Sequence, residues 1–233
     1  MNNKDNIINS KIITIDGPSA SGKGTIAKKI ANILNFKYLD SGALYRVVAY
    51  IYAQNYEDIT SFTQNCEEDL ISKFNASSLE FTQIDNQDVI LLNQKNITDL
   101  IRSEAIGSIA SVIASKPYVR QSLLQWQRNY ATEIGLVTDG RDMGTVVFPQ
   151  AKCKIFLVAD VEKRAKRRHQ QLLEQNSHTS FDEVLSSLKL RDERDTNRTN
   201  APLKPADDAL TIDNTLLSID ETIEKVLSYY NKL

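Results

Sequence analysis

A glycine-rich segment near the start of the sequence has the composition of a phosphate-binding loop. It reads GPSASGKGT, from Gly17 to Thr25, and follows the short apolar run KIITID. Glycines let the backbone curl until successive N–H groups point at an anion, and a lysine such as Lys23 reaches the β and γ oxygens of a nucleoside triphosphate. The residues expected to bind that phosphate chain are Gly17, Pro18, Ser19, Ala20, Ser21, Gly22, Lys23, Gly24 and Thr25.

The segment departs from the pattern G-x-x-x-x-G-K-[ST] only at its last position. Gly24 stands where a hydroxyl would bind Mg²⁺, and Thr25 follows one residue later, where it can donate to a phosphate from the first helical turn. The alternative, a tight turn that contains Gly-Lys by chance, is disfavoured because a strand precedes the segment and a helix follows it. The sequence lacks the base-reading pattern NKxD of GTPases. The run GKGT after a strand resembles the loop of nucleoside monophosphate kinases such as adenylate kinase, and this resemblance favours small-molecule phosphoryl transfer.

Three further segments place arginines and acidic residues after apolar runs. They read LDSGALYR (39–46), DGRDMGTVVFP (139–149) and LRDERDTNR (190–198). A phosphate acceptor is already ionised at neutral pH, so its phosphorylation needs positioning and cations more than proton chemistry. Guanidinium groups can hold a phosphate through two parallel hydrogen bonds. We therefore expect these segments to contact two phosphate-bearing substrates.

Together with GPSASGKGT and RSEAIGSIASVIASKPYVR, these segments closely resemble the bacterial-type cytidylate kinases, which are P-loop nucleoside monophosphate kinases. The resemblance covers essentially the whole chain. The combination of DSGxxYR with DGRDMGTVVFP is more specific than the loop alone. One departure is Ala20, where many members of the family carry glycine, and a methyl group there is tolerated unless the position needs a positive φ.

The resemblance implies which residues bind CMP. Arg46 and Arg141 match the residues that hold its phosphate. An ionised Asp142 would accept a hydrogen bond from the amino group of cytosine and repel the carbonyl of uracil, although a turn-stabilising role for this residue is also open. The residues matching the pyrimidine contacts are Ser41, Arg120, Asp142 and Arg198, and those matching the pentose contacts are Ser111, Arg191 and Asp195.

The arginines between residues 160 and 198 allow two interpretations. Ser180 and Glu183 form a capping box at the start of a predicted helix, on which Arg191, Asp195 and Arg198 share one face at i, i+4 and i+7. That face is either part of the site or a solvated, salt-bridged surface. The resemblance favours the site, and it also implies lid cations over ATP at Arg164, Arg167 and Arg168.

The resemblance also implies the catalytic groups and the cofactor. Lys23, Arg141 and Arg191 are expected to stabilise the transferring phosphoryl group, with Mg²⁺ bridging the β and γ oxygens of the co-substrate ATP. No direct metal ligand is assigned. Asp139 ends an apolar run in the manner of a Walker B carboxylate, which makes it a candidate for contacting Mg²⁺ through water.

Short apolar runs alternate with amphipathic segments along the chain. The runs KIITID, FKYLD, GLVTDG, KIFLVAD and ALTID each end in Asp or Gly, as buried parallel strands do. Between them, TIAKKIANILN has an apolar helical face, and SIDETIEKVLSYYNKL begins with a capping box made by Ser218 and Glu221. This alternation predicts an α/β fold of three layers around a five-stranded parallel sheet.

The segment from Ser77 to Thr98 interrupts that rhythm. Its alternating apolar and polar residues and its turn signals predict a small antiparallel hairpin or meander, which the resemblance identifies as an enlarged NMP-binding region. We expect a single P-loop kinase domain over residues 1–233. Its parts are a core at about 1–60, 104–160 and 200–233, an NMP-binding insert at about 61–103 and a short lid at about 161–199.

Composition and charge narrow the class of protein. Of 233 residues, 41% are hydrophobic and 25% are charged, with a net charge of −2, which suits a globular domain without general affinity for nucleic acid or membranes. The polar start MNNKDNIINSK predicts no signal peptide. Cys66 and Cys153 lack metal-binding spacing and are expected to be reduced in the cytoplasm. His169 and His178 are expected at the surface.

The implied activity is transfer of the γ-phosphoryl group of ATP to CMP or dCMP by a monomeric enzyme, with no nucleic-acid or membrane partner. Two alternatives stay open at the level of sequence. The first is a P-loop kinase with another small acceptor, such as UMP, GMP or shikimate. The second is a sensor that binds ATP without catalysis.

Overall fold

The chain forms two compact units, each with its own buried core. The first comprises residues up to Asp40 together with Arg128–Leu233, and the second comprises Ser41–Gln127. The predicted boundaries of core, insert and lid stay a prediction. The structure, a computed structural model, describes residues 8–56, 59, 62–85, 87–174 and 178–233.

Strands and helices alternate over most of the described chain. The strands are β1 (Ile12–Asp16), β2 (Lys37–Asp40), β3 (Leu79–Ile84), β4 (Gln87–Leu92), β5 (Lys95–Asn96), β6 (Leu136–Gly140), β7 (Cys153–Val158) and β8 (Leu210–Asp213). The α-helices are α1 (Lys23–Leu34), α2 (Ser41–Asn55), α3 (Gln64–Asn75), α4 (Glu104–Ile113), α5 (Pro117–Asn129), α6 (Val161–Glu174), α7 (Phe181–Asn197) and α8 (Ile219–Tyr230). Single turns of 3-10 and π-helix span Leu100–Arg102 and Met143–Val147.

The first unit is built on a five-stranded parallel sheet in the order β2-β6-β1-β7-β8. The five predicted strands and the α/β class are therefore confirmed. The apolar residues of β1, β6 and β7 are almost wholly buried, because strands inside a parallel sheet are covered on both faces. Their carboxyl ends lie at one edge of the sheet, the edge at which α/β proteins bind ligands.

Helices α1 and α8 pack together on this sheet. Ile26 and Ile30 of α1 join Ile223 and Val226 of α8 in one core cluster with the strand residues. The predicted capping boxes at Ser218 and at Ser180 are both present, so local sequence set the starts of α8 and α7.

The predicted helical face on α7 ends earlier than the spacing suggests. The helix stops at Asn197, and Arg198 is extended, with φ −63° and ψ 138°. The reason lies in the backbone, because the carbonyl of Asp195 accepts a hydrogen bond from the N–H of Leu203 at 2.8 Å instead of continuing the helix. Arg198 is therefore the C-cap of α7: its N–H still donates to the carbonyl of Arg194 at 3.1 Å, and its side chain lies 3.9 Å from Asp195.

The second unit combines helices with a small antiparallel sheet. Strands β3, β4 and β5 form the predicted meander in that order. Asn93 and Gln94 have φ values of 50° and 65°, as the two central residues of a tight hairpin turn require. The core of this unit is formed mainly by apolar residues of α2, α3, α4 and α5. Within the described ranges, no helix combines the length and hydropathy needed to cross a membrane.

Candidate active site

The glycine-rich segment connects β1 to α1 in the first unit. Gly17 approaches the neighbouring strand so closely that a Cβ there would lie 2.5 Å from the carbonyl oxygen of Leu157. Gly22 precedes the helix with a φ of 86°, a conformation that glycine adopts without strain. The strand, the turn and the start of the helix predicted for a phosphate-binding loop are all present.

Ala20 adopts a φ of 58° inside this loop. The position therefore does need a positive φ, the one condition under which alanine was expected to be unfavourable. A left-handed conformation costs a residue with a Cβ about 1–2 kcal/mol. The loop geometry is thus held against a local preference of this residue.

Lys23 begins α1, and its ammonium donates a hydrogen bond to the carbonyl oxygen of Pro18 at 3.2 Å. The pKa of Lys23 is lowered to about 7, mainly by burial and also by the positive charges of Arg141 and Arg191, which outweigh the opposite effect of Asp139 and Asp40. Positive charge is therefore concentrated beside the loop. An anion such as a polyphosphate would relieve the repulsion among these cations.

Two carboxylates lie beside the loop at the ends of neighbouring strands. Asp139 of β6 is paired in register with Asp40 of β2, and Asp139 is 4% exposed. The hydroxyl of Tyr38 donates to Oδ1 of Asp139 at 2.8 Å. The pKa of Asp139 is raised to about 7, mainly by burial and also by Asp40, which together outweigh the opposite effects of Lys23 and of the hydrogen bond from Tyr38. These groups fit a cation, because a cation beside them would favour the ionised form of Asp139.

These carboxylates fit magnesium that arrives with a nucleotide. Among the described residues, no group of three or more His, Cys, Asp or Glu side chains could hold a metal ion. Magnesium bound with a nucleotide keeps several waters and takes one or two protein carboxylates, so a larger cluster is not required. Asp139 and Asp40 are the residues that could supply this contact.

Arg141 connects the loop to α7. Its Nε donates to Oδ2 of Asp195 at 2.7 Å, and its Nη2 donates to the hydroxyl of Ser19 at 2.6 Å. Burial alone would raise the pKa of Asp195, but the charges of Arg141, Arg198 and Arg191 together hold it below its ordinary value. Asp195 therefore stays ionised and fixes the Arg141 guanidinium.

Asp142 and Arg198 form the next part of the same charge cluster. Asp142 is 2% exposed, and its Oδ1 lies 3.9 Å from Nη2 of Arg198. Arg198 also lies 3.9 Å from Asp195 and donates from Nε to the carbonyl of Ala201 at 2.6 Å. The side chain of Asp142 makes no capping hydrogen bond to the π-helical turn that follows it. The first unit thus brings together Ser19, Lys23, Arg141, Asp142, Asp195 and Arg198 through contacts and shared electrostatics, with Arg191 acting on Lys23 and Asp195.

The three arginines predicted as lid cations differ in their surroundings. Arg164 is 5% exposed, donates to the carbonyl of Ser19 at 3.0 Å and pairs with Asp192 at 2.7 Å, so it supports the loop backbone. Arg167 donates to the carbonyl oxygen of Asn214 at 3.0 Å. Arg168 is partly buried on the same helix.

A pocket of about 600 Å³ lies beside the loop. Pockets for small ligands measure about 300–1,000 Å³. Several of the residues that line this pocket were not predicted from the sequence. Asn214 could have been predicted as a site residue, because it directly follows β8 at the ligand-binding edge of the sheet. Its Nδ2 donates to the carbonyl of Ser21 at 2.8 Å. The lining comprises residues 20–26 together with Arg167, Gln170, Gln171, Asn214, Leu217, Ser218, Ile219 and Thr222.

Tyr38 is a second residue that the sequence did not single out. It stands two residues before Asp40, so both side chains leave β2 on the same face. The two-residue spacing from Asp40 is therefore the sequence feature from which Tyr38 could have been predicted as a site residue.

The other predicted CMP contacts lie in the second unit. The hydroxyl of Ser41 donates to Oε1 of Gln127 at 2.9 Å. Arg46 donates to the carbonyl of Ile101 at 2.7 Å, and a Cβ on Gly107 would lie 2.7 Å from its Nη2, so a side chain at Gly107 would make this guanidinium shift. The remaining two residues of this set are Arg120, which donates to the carbonyl of Ala114 at 2.9 Å and lies 5.4 Å from the ring of Tyr45, and Ser111, which is partly buried on α4.

Comparisons with known proteins agree on one family. The model of the family described as cytidylate kinase matches residues 13–232. A cytidylate kinase of Pasteurella multocida is 46% identical over 221 residues, covering 95% of each chain. One of Neisseria meningitidis is 47% identical over 223 residues, covering 96% of this chain and 98% of its own. An uncharacterized protein from Eubacterium ventriosum, with a solved structure, shares the fold at a TM-score of 0.50 and 14% identity over 95% of this chain.

Proposed function

The chain belongs to the cytidylate kinase family, and from this premise we propose that it transfers the γ-phosphoryl group of ATP to CMP or dCMP. The products are ADP and CDP or dCDP. Membership of this family does not favour the alternatives, which were another small acceptor such as UMP, GMP or shikimate, and a sensor without catalysis.

The proposal rests on the concentration of cations around an intact phosphate-binding loop. Lys23 lies at the start of α1, and Arg141 is fixed between Ser19 of the loop and Asp195 of α7. In the reaction an ionised oxygen of the CMP phosphate attacks the γ phosphorus while the bond to the bridging β–γ oxygen breaks. No proton has to be removed from the acceptor. Lys23, Arg141 and Arg191 stabilise the negative charge that spreads over the transferring group.

ATP is assigned to the loop and the adjoining pocket. The loop amides and Lys23 hold the phosphates, and the pocket beside Arg167 and Asn214 has room for the nucleoside. Arg164, Arg167 and Arg168 are assigned to the ATP side, with Arg164 acting through its contact with the backbone of Ser19. Arg164 is buried and paired with Asp192, which supports a role in holding the loop backbone in place.

CMP contacts are assigned within each unit. In the first unit Asp142 and Arg198 read the pyrimidine, Asp195 and Arg191 contact the pentose, and Arg141 holds the phosphate. Burial of the Asp142 and Arg198 side chains supports this assignment, because buried charges give the sharpest discrimination between a donor and an acceptor on the base. In the second unit the corresponding assignments are Ser41 and Arg120 for the pyrimidine, Arg46 for the phosphate and Ser111 for the pentose.

Magnesium is the proposed cofactor. When bound with ATP it neutralises charge on the β and γ oxygens and polarises the bond that breaks. Asp139 and Asp40 are the residues proposed to hold it. The enzyme is also proposed to be monomeric and to act in the cytoplasm. The free thiols of Cys66 and Cys153 support the cytoplasmic location, because thiols stay reduced there.

A coupled assay of ADP release with a series of acceptors tests the proposed activity. CMP and dCMP are expected to stimulate ADP release strongly, while UMP is expected to be used at least about tenfold less efficiently, because its carbonyl oxygen faces Asp142. An ATP turnover that is unchanged by CMP would contradict the enzyme assignment. Equal efficiency with UMP would contradict the role of Asp142.

A further inference from the structure

The space beside Gly24 is occupied by a hydroxyl from another element. A Cβ built on Gly24 would lie 3.4 Å from the hydroxyl oxygen of Tyr38 and 3.8 Å from each carboxylate oxygen of Asp139. These are ordinary van der Waals distances, so a small side chain fits the space itself. A hydroxyl carried by that side chain would point into a region already shared by the Tyr38 hydroxyl and the Asp139 carboxylate.

Tyr38 is held in place by the parallel sheet. It is paired with Val137 in the parallel register of β2 and β6, and Asp40 is paired with Asp139 two residues further on. Its ring packs against the core cluster of the first unit, and its hydroxyl donates to Oδ1 of Asp139 at 2.8 Å. The hydroxyl is therefore held at a fixed place relative to Asp139.

We propose that the Tyr38 hydroxyl replaces the hydroxyl that Gly24 omits, as a positioning residue that keeps Asp139 oriented toward the magnesium of Mg·ATP. The inference rests on the proposed binding of ATP with magnesium at this loop. The conventional loop carries its hydroxyl on the residue after the lysine. Here strand β2 supplies it, and Gly24 places no side chain beside the Tyr38 hydroxyl and the Asp139 carboxylate.

The substitution Tyr38→Phe removes the hydroxyl and keeps the ring. The affinity for ATP is measured by isothermal titration calorimetry, once with magnesium and once with EDTA. We expect the affinity measured with magnesium to fall about five- to tenfold, less than the full loss of one hydrogen bond to a charged group because Tyr38 acts only through Asp139, while the affinity without magnesium stays within about twofold. The unchanged second value also shows that the variant is folded and its loop intact.

Tyr230→Phe is the matched control. Tyr230 packs against the same core cluster. Its ring lies edge-on to the ring of Phe36, with the two ring centroids 6.3 Å apart. Like Tyr38→Phe, this variant loses one tyrosine hydroxyl from the first unit and keeps the ring. It is expected to bind ATP like the wild type under both conditions.

Restoring a hydroxyl on the loop is the most decisive part of this experiment. In the Tyr38→Phe background, Gly24→Ser returns a hydroxyl to the shared space and is expected to recover most of the magnesium-dependent affinity. Gly24→Ala adds the Cβ alone and is expected to recover none. In the wild-type background Gly24→Ser brings two hydroxyls to one space, so no gain is expected and the two substitutions are strongly non-additive.

Three results would overturn the inference alone. They are an unchanged magnesium effect in Tyr38→Phe, an equal loss with and without magnesium, and equal rescue by serine and alanine at position 24. Wild-type protein that binds no ATP under either condition would overturn the proposed function, and the inference with it.

Discussion

Ala20 holds a backbone conformation that glycine adopts at less cost. Its φ of 58° opposes the preference of a residue with a Cβ. Replacing it by glycine removes this strain of about 1–2 kcal/mol. Glycine also raises the entropy of the unfolded chain, which offsets about 0.5–1 kcal/mol of the gain in stability. We expect Ala20→Gly to raise the free energy of unfolding by about 0.5–1 kcal/mol in urea denaturation.

Ala27→Gly is the control for this prediction. Ala27 is fully buried inside α1, where glycine lowers stability by about 1 kcal/mol relative to alanine. The two alanine-to-glycine changes should therefore have opposite signs. A loss of stability in Ala20→Gly similar to that of Ala27→Gly would show that the loop does not strain its alanine.

Asp142 carries the proposed choice between cytosine and uracil. Asp142→Ala removes an acceptor that is 2% exposed and that faces Arg198. Steady-state kinetics should show a fall of about 10- to 100-fold in kcat/KM for CMP, the usual loss for one hydrogen bond to a charged group. The affinity for ATP should change by less than about twofold.

Asp220→Ala is the control for Asp142. Asp220 is exposed and pairs with Lys29 at 3.1 Å on the surface of the same unit, so its removal is expected to leave CMP kinetics unchanged. CMP kinetics near the wild-type values in Asp142→Ala would show that the base is read elsewhere.

At the scale of elements, the capping box of α7 makes the start of that helix sensitive to pH. The carboxylate of Glu183 accepts hydrogen bonds from the N–H and the hydroxyl of Ser180, and these bonds lower its pKa. A lowered folded-state pKa means that the stabilisation is complete above the unfolded value and is lost as the pH falls through the folded value. The stability difference between wild type and Glu183→Ala should therefore shrink when the pH is lowered from about 7 to about 3.

Thermal unfolding at several pH values measures this difference. Glu193→Ala, at an exposed position of the same helix, is the control and should not reproduce the pH dependence. A difference for Glu183→Ala that is constant over the whole pH range would contradict the capping account.

Elements set by local sequence were predictable, and features set by tertiary pairing were not. The five parallel strands, the meander and both capping boxes follow from patterns within a few residues. The end of α7 at Asn197 depends on the hydrogen bond from Leu203, which no local pattern contains. Tyr38 and Asn214 likewise gain their contacts with Asp139 and Ser21 only when separate strands come together.

At the scale of the whole molecule, the two cysteines report on different levels of unfolding. Cys153 lies in β7 between β1 and β8, and burial raises the pKa of its thiol to about 12. Cys66 is partly exposed at the start of α3, and a hydrogen bond from the Thr63 hydroxyl lowers the pKa of its thiol. Since the thiolate is the reactive form, Cys66 should react with iodoacetamide in the native protein and Cys153 should not.

Alkylation at increasing urea concentrations, with the modified sites identified by mass spectrometry, checks this expectation. Modification of Cys153 should follow the global unfolding transition, because its strand is inside the parallel sheet. Modification of Cys153 in native buffer at the rate of Cys66 would show that the sheet opens locally.

Transfer of label from ATP to CMP is the most direct test of the central claim. The wild-type protein is incubated with magnesium, CMP and ATP that is radioactively labelled at the γ phosphate, and the products are separated by chromatography. The account predicts labelled CDP with its label on the terminal phosphate, and little free labelled phosphate. Label found only in free phosphate, or label that stays in ATP, would contradict it.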